Sequence, residues 1–156
     1  LNISRENYQD SGLMIKLRNV LTRRVIKMLD DEAKRDPEAY KRWYAEFGQF
    51  LKEGIAVDSD NKEALFRLLR VHSKQNGAKK FVSLEDYIEN MRPGQEKIYF
   101  LVNNQYEMAL KSPYMEPFKG SDVPVLILTN NIDEICFQQT GQFKNKKFVN
   151  VETSYD

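Results

Sequence analysis

Three short apolar runs, at 98–102, 123–128 and 148–151, restrict the fold more than any other feature of the chain. Each is strand-length and rich in Val, Ile, Leu or Phe. Between them lie stretches of helical pattern, near 105–110 with 114–119 and at 132–143. Strands that alternate with helices imply parallel pairing, because a parallel connection must cross the sheet and return. The expectation is a small, mostly parallel sheet covered by helices, with right-handed crossovers. Upstream, Ser83 to Asp86 resembles a capping box in which Asp86 replaces the usual Glu. Its helix should end by Met91, because Pro93 and Gly94 break it. Residues 74–80 read as a polar loop.

The first half follows a different period. Met14, Leu17, Leu21, Val25 and Met28 recur at three- and four-residue steps, widened by Leu13, Val20 and Leu29. That is the apolar stripe of one amphipathic helix, capped by Asp10 or Ser11 and running to about Ala33. Residues 1–10 have no clean period and read as an ordered loop before it. Asp36, Pro37 and Glu38 restart a helix, as N-cap, first position and dipole partner. Tyr40, Trp43, Tyr44, Phe47, Phe50 and Leu51 then form a broad aromatic stripe, read as core, with Gly54 as the expected stop. A third short helix follows Asp60, with Ala64, Leu65, Leu68 and Leu69 on one side. The fold class is therefore α/β: a helical coil of about three helices followed by a small three-layer αβα sandwich with a mostly parallel sheet.

With 156 residues, the chain can bury a core as one domain or two small ones. The 24 basic and 23 acidic residues leave +1, so no global field draws nucleic acid or an anionic membrane. The single Cys excludes an internal disulfide and a Cys-rich zinc site, and the single His excludes paired-His metal motifs. No apolar run is long enough to span a bilayer. Residue 1 is Leu, and no basic start with an apolar core follows it, so the expectation is a piece of a longer protein without a signal peptide.

No complete active site emerges from the residues. There is no G-x-x-x-x-G-K-[ST], no G-x-G-x-x-G and no G-x-S-x-G. His72 reads as structural or solvated and Cys136 as a small buried hydrophobe. Asp133 and Glu134 read as first-turn carboxylates that offset a helix dipole. The basic face of Lys16, Arg18, Arg23, Arg24 and Lys27 reads as solvated. Arg5 stands apart, because it lies with two amides just before a long helix. Its planar, permanent charge suits a partner's phosphate, but the residues alone favour a structural salt bridge to Glu6 or a neighbour.

Residues 1–9, LNISRENYQ, resemble the catalytic-loop motif L-N-x-S-R-E-x-x-Q of the heat-shock protein 90 chaperone family. FLKEGI at 50–55, with Asp58 and Asn61, is similar to the next family block. LLR at 68–70, SLEDY at 83–87 with Met91, and QEKIY at 95–99 follow in the family's order. Ser112 with Pro113, IDE at 132–134 and Phe148 with Val149 complete it. The details are nearest to the bacterial and mitochondrial (TRAP-type) branch.

This resemblance implies the C-terminal part of a middle domain. Residues 1–35 would end the large middle subdomain, 36–70 form the helical coil, and 71–156 form the small αβα subdomain. Arg5 would be the catalytic residue that reaches the terminal phosphate of ATP held by a separate N-terminal domain. Gln9 would support it around the phosphate, and Asn2 would help shape and line the site. ATP and Mg would sit mainly on that absent domain, so no cofactor and no activity are expected of these residues alone. The implied partners are client proteins, with the N-terminal ATPase domain and C-terminal dimerisation domain of the same chain. The parent would be a homodimer and this piece a monomer, without nucleic acid or membrane, in a mitochondrial or cytoplasmic setting. Client contact is implied near Glu134 and Ile135, although Ile135 stands where the family has Trp or Tyr. Asn90 replaces a usual Arg and Val71 a frequent aromatic. The alternative from another class is a non-catalytic protein-interaction module of a larger protein.

Overall fold

The computed structural model describes residues 2–58, 60–77 and 80–153, with side chains from Ser11 onward. The first helix, α1, spans Asn2–Arg35. The expected loop over 1–10 is thus corrected, since the backbone from Asn2 is already helical. The segment contains no proline and includes Arg5, Glu6 and Gln9, residues that favour helix. Among the described side chains of α1, the last third packs best: Ala33 is buried, and Ile26 and Leu29 lie against the core.

Helix α2 covers Pro37–Val57 and starts as its sequence dictates. The Asp36 side chain accepts from the Ala39 amide at 3.1 Å, and Pro37 occupies the first turn. Gly54 does not stop it. Ile55 is fully buried, and holding that side chain in the core carries the helix on to Val57. Helix α3, Lys62–Leu68, buries Leu65, Phe66 and Leu68. The Tyr40 hydroxyl donates to the Leu68 carbonyl at 2.5 Å and ties the end of α3 to α2.

The sandwich begins with β1, His72–Ser73, and α4, Leu84–Glu89. Helix α4 has the complete capping box: Ser83 accepts from the Asp86 amide and Asp86 accepts from the Ser83 amide. Strand β2 is Lys97–Val102, followed by α5, Tyr106–Leu110, and a 3-10 helix over Pro113–Phe118. Strand β3 is Val125–Leu128 and α6 is Asn131–Thr140. Gly141, at φ 77°, ends α6, so Phe143 belongs to β4, Gln142–Phe143, and not to the helix. Lys144 and Asn145, both at positive φ, turn the chain into β5, Lys146–Asn150.

The strand order is β1-β3-β2-β5-β4. The central pairs β2–β3 and β2–β5 are parallel, and the two edge pairs are antiparallel. Sheet alternation divides the core. Ile98, Phe100, Leu126 and Leu128 face one side, shared with α2, α3 and α6. Leu101, Val125 and Ile127 face the other, with Tyr106, Ala109 and Met115. The first of these cores runs without a break from Ala33 to Phe143, so coil and sandwich share it. No helix among the described residues is long and apolar enough to cross a membrane.

Candidate functional site

The three residues singled out for phosphate chemistry, Asn2, Arg5 and Gln9, all fall in the first turns of α1. On a helix, positions 2, 5 and 9 share a face. Their side chains lie outside the described residues.

The next part of α1 departs from expectation. Leu13, Met14, Ile15, Leu17, Val20, Leu21, Val25 and Met28 are between 46% and 67% exposed. The expected amphipathic stripe is present in the sequence but has nothing to pack against along most of its length. The aromatic stripe of α2 divides in the same way. Tyr40, Tyr44 and Leu51 are buried, whereas Phe47 and Phe50 are exposed, Phe50 at 66%. The reading of that stripe as core is therefore corrected for Phe47 and Phe50: Phe50 faces the groove beside α1, and the Phe47 ring stacks on it. Together the two helices frame a groove of about 760 Å³ lined by Met14, Leu17, Leu21, Val25, Phe50 and Val57, with Arg18 on one side and Asp58 and Asp60 on the other.

Helix α6 carries the remaining candidates. Ile135 is 49% exposed and Glu134 is partly exposed beside it. Asp133 lies in the first turn as expected, but it does more than offset a dipole. It is buried, and its Oδ1 lies 2.8 Å from Nζ of Lys52 on α2. The contact is an ion pair whose alignment falls short of a hydrogen bond. Burial pushes the Asp133 carboxyl up from its usual range, and the Lys52 charge and contact, the Asn130 backbone and the more distant His72 pull it back. The sequence reading missed this pair because its members are far apart along the chain. One signal was present: Lys52 follows Tyr44 and Gly48 at four-residue steps, on the inward stripe of α2.

Cys136 and His72 behave as structural residues. The Cys136 thiol is buried, donates to the Lys52 carbonyl at 3.4 Å and is pushed up to about 11, chiefly by burial. That removes thiolate character at neutral pH. The His72 ring stacks on Phe81 at 4.7 Å, and its Nδ1 lies 3.3 Å from the Lys80 carbonyl. Among the described residues no group of three or more His, Cys, Asp or Glu is placed to hold a metal ion.

A protein-family model described as "Hsp90 protein" matches residues 1–155. The chain belongs to the Hsp90 family. Its similarity lies with the bacterial and mitochondrial branch. It is 43% identical over 156 residues to a mitochondrial TNF receptor-associated protein 1 homolog of Dictyostelium discoideum, covering 98% of this chain and 22% of that protein. It is 40% identical over 152 residues to the chaperone protein HtpG of Desulfitobacterium hafniense, covering 97% and 25%. The HtpG of Pectobacterium atrosepticum is 43% identical over 157 residues, covering 100% and 25%. This Hsp90 chain thus spans about a quarter of the length of the curated relatives it matches.

Proposed function

We propose that this Hsp90 chain is a middle-domain segment of an ATP-dependent chaperone. In this reading it supplies a catalytic-loop arginine to ATP held by a separate N-terminal domain, together with part of the client-binding surface. The observation that carries the reading is the ordered family match over residues 1–155, with Arg5 and Gln9 at the motif's arginine and glutamine positions. The open apolar face of α1 supports it, because a helix with that stripe is built to be covered by further structure.

The chemistry assigned to Arg5 is electrostatic. Negative charge grows on the phosphoryl oxygens during transfer, and a fixed guanidinium placed there stabilises the transition state more than the ground state. Supplying the arginine from another domain makes turnover depend on domain closure. ATP supplies the phosphoryl group, and its magnesium is assigned to the N-terminal domain. Gln9, at i+4 from Arg5, holds the phosphate region by hydrogen bonding, and Asn2 shapes the approach.

Client binding is assigned to the outer face of α6 around Glu134 and Ile135. The parent is a homodimer joined by a C-terminal domain, in a mitochondrial or bacterial-type cytoplasmic compartment. Calorimetric titration of the 156 residues with ATP and magnesium tests the division of labour. No specific binding is expected, and saturable micromolar binding would overturn it.

A further inference from the structure

Two side chains of α6 meet a single residue of α2. Asp133 reaches the Lys52 ammonium at 2.8 Å, and Cys136 donates to the Lys52 carbonyl. The ionic side chains are 12% and 5% exposed, so water screens them little. Asp133, Cys136 and Phe137 form the inward face of α6, at i, i+3 and i+4. Glu134, Ile135 and Gln138 form the outward face. The Phe137 ring meets Phe66, Phe100 and Phe148 at 4.4–5.4 Å, which sets how closely α6 sits on the core. Ring contacts of this kind tolerate small rotations of a helix about its axis. A short ionic contact near one end and a sulfur contact one turn later do not.

A buried ion pair is a poor source of net stability, because the desolvation of two charges offsets their attraction. Its attested value is geometric, since few other arrangements satisfy both charges. We infer that Lys52 is a positioning residue for the outer face of α6, fixing the rotation at which Glu134 and Ile135 meet a client protein. This rests on the client-binding reading proposed above. Lys52 touches no client itself. It acts through Asp133, from the opposite side of the helix.

The test uses the 156-residue chain with Asp133→Asn, Lys52→Met, Lys52→Arg and Ile135→Glu. Amide residual dipolar couplings report the orientation of α6 against the sheet. Fluorescence anisotropy reports binding of reduced, carboxymethylated α-lactalbumin, a permanently unfolded probe. For Asp133→Asn combined with Lys52→Met, which leaves neither charge buried without its partner, the urea midpoint at pH 7 should stay near that of the wild type. In Asp133→Asn and in this double variant the α6 couplings should depart from the wild-type orientation while the sheet couplings hold. Probe affinity should fall about three- to tenfold, the scale of a coupled positioning change. Lys52→Arg, which keeps the cation opposite Asp133, should keep the wild-type orientation and affinity, and Lys52→Met should not. Unchanged α6 couplings in Asp133→Asn would overturn the positioning role. So would a loss of orientation matched by a loss of stability in the double variant, which would make the pair a stabiliser only. Ile135→Glu tests the underlying reading separately. If it leaves probe affinity unchanged, client binding at α6 fails, and the positioning role stands or falls on the couplings.

Discussion

Gly48 and Gly54 lie six residues apart on one helix and make opposite demands. A Cβ on Gly48 would sit 2.8 Å from the Tyr44 ring, which folds back across the helix at that point. Gly48→Ala should therefore cost about 1–3 kcal/mol through overpacking, read as a lower urea midpoint at unchanged slope. A Cβ on Gly54 would meet only Leu65 at an ordinary 3.6 Å. Gly54→Ala should be neutral or stabilising by up to about 1 kcal/mol, the helix-propensity gain. Tyr87 is a third such position. Its hydroxyl donates to the Pro124 carbonyl at 2.6 Å and accepts from the Tyr99 amide and the Gln95 side chain. Burial pushes that hydroxyl up to about 12, so it stays a donor throughout the neutral range. Tyr87→Phe should cost about 1–3 kcal/mol, because it leaves buried backbone groups of β2 and Pro124 without partners. None of these roles is legible in sequence. Gly54 reads as a helix stop because the pull of the buried Ile55 beyond it is a tertiary effect. Gly48 is silent because its role depends on where one ring lies.

Elements with local causes were legible. The Asp36-Pro37 start of α2 and the Ser83–Asp86 box of α4 are each complete within four residues, so their hydrogen bonds follow from spacing alone. The parallel β2–β3–β5 centre followed from the alternation of strand and helix. The edge strands β1 and β4 did not, because two residues are too few to show a period of two. The seam between α2 and α6 was illegible for a further reason: it joins Lys52 to Asp133 across 81 positions. It makes a pH prediction. The Asp133 carboxyl is raised in the folded chain, mainly by burial, so the folded state binds its proton more tightly than the unfolded state does. Its contribution is therefore fully present below the usual aspartate value and is lost as pH rises through the raised folded value. Asp133→Asn mimics the protonated form. Across that window the variant should gain stability relative to the wild type as pH rises, in paired urea titrations from acid to neutral. A variant that loses ground as pH rises would reverse the sign.

Among the described residues, the molecule is well packed at one end and open along α1. From Ala33 onward one core joins coil and sandwich, whereas α1 from Leu13 to Met28 is held mainly through Ile26. Amides of residues 13–21 should therefore exchange with deuterium faster than those of residues 29–34, although both belong to one helix. Equal protection would mean that the stripe is covered. The family and its branch were legible because several short blocks recur in order through the chain. The state of the α1 stripe was not, because a helical period says that a face is apolar and not what covers it. The role of Arg5 is tested most directly in the full-length parent protein. ATP turnover at saturating nucleotide should be compared for wild type and Arg5→Ala, with the dissociation constant for ATP measured in parallel. Turnover should fall about a hundredfold or more while the dissociation constant stays within roughly twofold, the pattern of a group that acts only in the transition state. Turnover within roughly twofold of the wild type would contradict that role.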